Sequence, residues 1–170
     1  QNFSLPNEIK SKIDREAEKG KTIIYILENN QFLGALGLAD VIREESREAI
    51  LGLKAMGVKV AMITGDSEKV AEWVAKDLSI DEYFARVLPH EKSEKVKILQ
   101  AKGSKVAMVG DGINDAPALV QADLGVAIGA GTNVAIESAG IILIKNDPRD
   151  IVKIIRLSKL TYTKMIQNLF

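Results

Sequence analysis

The sequence has no cysteine, a single histidine and a single tryptophan among 170 residues, and its 23 basic and 23 acidic side chains cancel. Without cysteine the chain holds neither a disulfide framework nor thiolate metal sites, and the lone imidazole, His90, has no second imidazole or cysteine with which to build a transition-metal site. Zero net charge removes the global field that draws a protein to polyanions, so no nucleic-acid partner is expected. Apolar runs are short as well. None reaches the roughly 18 residues of a spanning helix, and the amino-terminal stretch lacks the charged-then-apolar layout of a signal peptide. What remains is 46% hydrophobic residues in short bursts, enough for one core and a small appendage.

The bursts have a rhythm. Residues 6–19 are charged with Ile9, Ile13 and Ala17 at helical spacing and Gly20 at the capping position, which predicts an amphipathic helix. "KTIIYIL" and "QFLGALGL" read as strands, and the Asn29–Asn30 pair between them suits a hairpin turn. After residue 40 helices and strands alternate. Helices are predicted over 44–56, 68–78, 92–102, after Asp115 and over 133–138; strands at "VKVAMI", 83–87, "KVAMV", "LGVAI" and "IILI". Near-continuous apolar strands joined by helical crossovers predict an α/β fold with a doubly wound parallel sheet, preceded by a small helix-plus-hairpin appendage. A last helix opens at Asp147–Pro148, a capping residue and a first-turn proline, and runs to Phe170. Trp73 falls on the apolar side of the 68–78 helix and reads as packing.

In open parallel sheets, ligands sit beyond the carboxyl ends of the strands. Three polar clusters fall there: Thr64, Gly65 and Asp66 after "VAMI"; Lys92 at the start of a helix in "LPHEKSEK"; and Asp111, Asn114 and Asp115 in "GDGIND". Lys92 is the oddity, because a helix amino end disfavours a cation unless an anion lies nearby. Asp111 and Asp115 are hard oxygen ligands of the kind Mg²⁺ uses sparingly, keeping waters and sharing a phosphate oxygen. Gly110 and Gly112 let the backbone turn tightly beside such a ligand. The Thr64 hydroxyl and the Gly65 amide are donors suited to phosphoryl oxygens. Each cluster also has a plainer reading. Asp115 serves equally as the cap of the following helix, "TGD" is a common turn, and Lys92 is a solvated charge beside Glu91 and Glu94. Their joint occurrence at successive strand ends favours a Mg²⁺–phosphate site.

"MITGD", "LPHEKSEKVK" and "VGDGINDAPALVQADLGVAIG", in that order, resemble the phosphorylation domain of P-type ATPases, a haloacid-dehalogenase-like fold, and the wording is most similar to the heavy-metal-transporting, copper-exporter-like branch. The resemblance covers about residues 21–170. It implies that 1–38 is the tail of a nucleotide-binding domain, 39–147 most of the phosphorylation domain and 148–170 a stalk helix leading towards a membrane helix. It further implies ATP and Mg²⁺ as cofactors. Thr64 and Gly65 would bind the phosphoryl group, Lys92 would neutralise it and Asn114 would position it. Asp111 would ligate Mg²⁺ with support from Asp115, Asp66 would face the nucleotide, and Asp40 with Arg43 would govern a hinge. The family's nucleophile segment, "DKTGT", is missing. A fragment of the cytosolic portion of an integral membrane protein is therefore expected, with the nucleophile upstream and the isolated chain inactive. Copper is the expected cargo, bound by membrane helices outside the chain, with zinc or cadmium as alternatives. A stand-alone phosphatase of the same superfamily and a non-catalytic Mg²⁺–phosphate module are the competing readings.

Overall fold

The computed structural model describes residues 7–18, 20–29, 31–38, 41–129 and 137–169. In chain order the elements are α1 (Asn7–Glu18), β1 (Thr22–Glu28), β2 (Gln31–Leu38), α2 (Glu44–Ala55), β3 (Ala61–Ile63), α3 (Glu68–Asp77), β4 (Glu82–Phe84), α4 (Lys92–Ala101), β5 (Ala107–Gly110), α5 (Ala116–Gln121), β6 (Leu124–Ile128), β7 (Ile141–Leu143) and α6 (Arg149–Leu169). They fall into two compact units. One comprises the described residues through Ile42 with Ala61–Arg86; the other comprises Arg43–Val60 and the described residues from Val87 onward.

In the first unit, β1 and β2 form the expected antiparallel hairpin, from Thr22 opposite Leu38 to Glu28 opposite Gln31, with an irregularity between Ile26 and Leu27. Asn29 takes the left-handed conformation that the turn demands, at φ 47°. β3 and β4 pair in parallel, Ala61 opposite Glu82 through Ile63 opposite Phe84, with α3 as their crossover. Ala71 and Ala75 of α3, with Leu78 at its C-terminal cap, bury one stripe at helical spacing. α1 packs against α3, and Trp73 lies half-buried over Gly20. Gly20 sits at φ +79°, and a β-carbon there would come within 2.6 Å of the indole, so the capping glycine also makes room for the ring.

The second unit is built on a parallel sheet ordered β5–β6–β7. Ala107 to Gly110 pair with Leu124 to Ala127, and Val126 to Ile128 with Ile141 to Leu143. The central strand β6 buries Gly125, Val126 and Ala127 in succession, as a parallel strand covered on both faces should. Val96 of α4 and Ala118 and Leu119 of α5 complete that core. α2 packs along α6, with Gly52 against Val152, where a β-carbon would lie 3.1 Å from a valine methyl. Beyond that contact α6 exposes Leu157, Leu160, Tyr162, Met165 and Leu169. Among the described residues no helix is long and apolar enough to cross a membrane.

The α/β class and parallel pairing expected from the alternation are present, divided over a two-stranded and a three-stranded parallel sheet. The strand expected over 58–63 is shorter, since only Ala61–Ile63 find a ladder partner. The helix expected over 133–138 lies largely outside the described residues.

Candidate functional site

The sharpest local construction follows β5. Gly110 ends the strand fully packed, and a β-carbon there would stand 2.6 Å from Cβ and 2.7 Å from Cγ of Asp115. Only glycine lets the strand end come so close to that carboxylate. Gly112, at φ 90°, supplies the left-handed turn that folds the loop back. Asp111 is exposed, and its Oδ1 accepts from the Ile113 backbone N–H at 3.1 Å. Asn114 is exposed beside it, while Asp115 is buried at 8% exposure.

Asp115 occupies the capping position of α5, yet its carboxylate does not cap the helix. Its backbone carbonyl accepts from Ala118 and Leu119, and its Oδ1 accepts from the Lys92 ammonium at 2.5 Å. Both side chains are mostly shielded, 18% exposed for Lys92 and 12% for Asp115. Asp115 is thus the anion that reconciles Lys92 with its seat at the start of α4. The neighbouring acids are engaged elsewhere: Glu91 accepts from the Leu88 N–H at 2.9 Å, and Glu94 pairs with Lys97. Lys92 is therefore no solvated surface charge. In so shielded a pair each charge depends on the other, because removing one leaves its partner unpaired away from water.

The Thr64–Asp66 loop, in the first unit, is stitched to the segment after β4. The Thr64 N–H donates to the Phe84 carbonyl at 2.9 Å, and the Arg86 N–H donates to the Asp66 carbonyl at 2.8 Å. The Thr64 hydroxyl donates to Asp66 Oδ2 at 2.6 Å and accepts from the Asp66 N–H at 3.1 Å. The hydroxyl expected to face a phosphoryl oxygen is here engaged by its own loop, with Gly65 exposed between the two.

Of the expected hinge pair, Asp40 lies outside the described residues. Arg43 reaches Asn146 with two long contacts, to the backbone oxygen at 3.4 Å and to Oδ1 at 3.5 Å. Asn146 in turn lies against Gly129, whose φ of +64° disfavours any other residue and where a β-carbon would stand 3.0 Å from that of Asn146. Nothing in the local sequence singles out Asn146, because its partner is 103 positions away. Next to it, Asp147 accepts from both the side chain and the N–H of Arg149, which holds its carboxyl down to about 2. Arg149 also reaches Glu48 of α2 at 3.0 Å, fixing the start of α6.

Among the described residues no three histidine, cysteine or acidic side chains gather into a ready-made metal cage. Mg²⁺ takes one or two carboxylates and fills its octahedron with water and phosphate oxygens. Asp111 fits this donor set: it is exposed, and among the described residues only one of its oxygens is hydrogen-bonded. Asp115 fits as the residue that braces Lys92 beside it.

Comparison with known proteins places the chain in a family. Residues 2–123 carry the signature of the haloacid dehalogenase-like hydrolases, and residues 93–155 match a second signature of the same description. A copper-exporting P-type ATPase B of Archaeoglobus fulgidus is 58% identical over 166 residues, covering 95% of this chain and 24% of that protein. A probable copper-transporting P-type ATPase B of Staphylococcus epidermidis is 43% identical over 168 residues, again 24% of its length. Among solved structures, a zinc-transporting PIB-type ATPase in its E2.Pi state superposes with a TM-score of 0.81 at 37% identity, over 96% of this chain and 27% of that one. The chain spans about a quarter of the length of the curated relatives it matches. By signature, fold and similarity, this chain belongs to the haloacid dehalogenase-like hydrolases, in the form found in heavy-metal P-type ATPases.

Proposed function

We propose that the chain is the distal part of the ATP-hydrolysing unit of a heavy-metal-transporting P-type ATPase, working through an aspartyl phosphate whose nucleophile lies in a part of the protein outside this sequence. The observation that carries the reading is the shielded Lys92–Asp115 pair behind a Gly110 that admits no side chain, in a chain 58% identical to a copper-exporting ATPase. Covalent transfer to a carboxylate divides one hard displacement into two easier ones. The chain's part is positioning and charge.

Lys92 carries three N–H donors, of which Asp115 takes one, leaving donors for phosphoryl oxygens. Asp115 keeps that ammonium aimed. Asp111 would hold Mg²⁺, which would supply charge neutralisation, and Asn114 orients the group transferred. Thr64 and Gly65 as phosphoryl ligands, Asp66 on the nucleotide side, and Asp40 with Arg43 at a hinge are assigned on family resemblance. So is the division into 1–38, 39–147 and a stalk over 148–170. Copper is the proposed cargo, because the relatives at 43% and 58% identity carry that name, whereas the zinc transporter stands at 37%. A free-standing phosphatase would need a strand-end aspartate early in the chain. Asp14 lies inside α1.

The test is phosphoenzyme formation from labelled ATP in the transporter carrying this segment. Asp111→Asn and Lys92→Ala are each expected to abolish it, and full labelling in either overturns the role given to that residue. The isolated chain with ATP and Mg²⁺ should stay unlabelled; acid-stable, hydroxylamine-sensitive label would favour the phosphatase. Stimulation of ATP hydrolysis by Zn²⁺ in place of Cu⁺ would overturn the copper assignment.

A further inference from the structure

A second polar cluster occupies the opposite ends of the elements that carry Lys92 and Asp115. Asp123 lies in the link between α5 and β6, and one of its oxygens, Oδ2, accepts from Gln100 Nε2 and from the Val106 N–H, both at 3.0 Å. The other, Oδ1, accepts from the Lys105 ammonium at 2.7 Å. Gln100 Nε2 also reaches the Gln121 carbonyl at 3.2 Å, and Gln121 Nε2 returns a bond to Gln100 Oε1 at 2.9 Å. One carboxylate thereby gathers the end of α4, the approach to β5 and the exit of α5. Lys105, followed by the two other donors, holds its carboxyl well below the ordinary range.

Helix geometry gives this cluster a role at a distance. Along α4, Gln100 stands about 12 Å from Lys92 at about 1.5 Å of rise per residue, and along α5, Gln121 stands about 9 Å from Asp115. α4 and α5 are thus joined at both ends, by Lys92–Asp115 at one and by Gln100–Gln121–Asp123 at the other. Added to the packing of α4, with its buried Val96, against α5, attachments at both ends restrain slide and rotation of the two helices more tightly than one attachment does. The ammonium at 92 meets its carboxylate in the register that the far-end bonds share.

We propose that Asp123, with Gln100 and Gln121, sets the register between α4 and α5 and so holds the Lys92 ammonium against Asp115. These are positioning residues that act through Lys92. Their weight in turnover rests on the phosphoryl-handling role proposed for Lys92; their weight on the geometry does not.

The measurement is proton exchange at the Lys92 ammonium in the ¹⁵N-lysine-labelled chain, its signal assigned by loss in Lys92→Arg. In the unaltered chain this ammonium should be the slowly exchanging lysine of the α4–α5 pair. Asp123→Ala and Gln100→Ala should speed its exchange about threefold or more, the effect of coupling within one shared network. Lys105→Ala should change it less, since that side chain is 91% exposed. Ala49→Gly, a change at the buried alanine of α2 in the same unit, controls for general loosening and should leave the signal unmoved. The proposal is overturned if the ammonium is unprotected in the unaltered chain, if both tether variants leave it unchanged, or if Ala49→Gly accelerates it equally. Should Asp123→Ala not fold, Gln100→Ala carries the same test. If the exchange shifts as expected while Lys92→Ala leaves phosphoenzyme formation intact, the register device stands and the proposed function fails.

Discussion

The two acidic loops that follow parallel strands, Thr64–Asp66 after β3 and Asp111–Asp115 after β5, look alike in sequence and are held in different ways. The first is satisfied locally: Thr64 and Asp66, two positions apart, bond one another at the surface. The second places Asp115 in the interior and ties it to a lysine 23 positions away, with glycine at the strand end because nothing larger fits. A loop that answers its own polar groups can change without disturbing its surroundings. A loop whose carboxylate is buried is bound to the packing of two helices and a strand. The contrast predicts where substitutions act through the fold and where they act only on a ligand.

The largest effect should come from Gly110→Ala. Its β-carbon would displace Asp115 against a packed core, an overpacking loss of about 3 kcal/mol, and would part the carboxylate from Lys92. Amide exchange of β6, in the heart of that unit, reads the loss directly. Unchanged protection there would mean that the strand end yields freely. Lys92→Met should follow, at about 2 kcal/mol, since it leaves a shielded carboxylate without its cation. Adding Asp115→Asn to Lys92→Met should restore part of that loss. A double variant no better than Lys92→Met alone would argue that the methionine fails by packing and not by charge.

Much of this frame was legible in the sequence because periodicity survives tertiary context where packing is regular. β6, α3 and the β1–β2 hairpin are continuous apolar or evenly spaced runs, and they sit where their patterns place them. β3 is shorter than its apolar run because a strand lasts only as long as its partner, and β4 offers three residues. For the candidate site, the spacing flagged Lys92 as a cation needing an anion but left open which anion, because helix-end electrostatics specifies a sign and not an identity. Asp115 read equally as a cap and as a ligand, and the cap is not made: a carboxylate sealed behind Gly110 pairs with the Lys92 ammonium in preference to a backbone N–H. Asn146 and Asp123 were invisible, since their partners meet them only once the sheet is assembled.

A subtler effect separates the same unit at low pH. The Asp147 carboxyl falls from an ordinary 3.8 to about 2 in the folded chain through its bonds to Arg149. A depressed carboxyl contributes stability that is complete above its unfolded value and is lost as pH falls through the folded one. Protection of the first turn of α6 should therefore decline between about pH 4 and pH 2, and Asp147→Asn should flatten that decline. An equally steep decline in the variant would place the sensitivity in another carboxylate.

The smallest effect belongs to Asp66→Ala. Its carboxylate is exposed and touches a hydroxyl two positions away, so its removal should shift stability by less than about 0.5 kcal/mol. Trp73, the sole tryptophan and part of the same unit, reports this through its fluorescence during urea unfolding. If the transition midpoint holds while nucleotide-dependent turnover of the transporter falls, the loop is a ligand loop and its local hydrogen bonds are a resting arrangement. A midpoint displaced as far as that of Gly110→Ala by β6 exchange would erase the distinction between the two loops, because the surface pair would then be supporting the fold as strongly as the buried one.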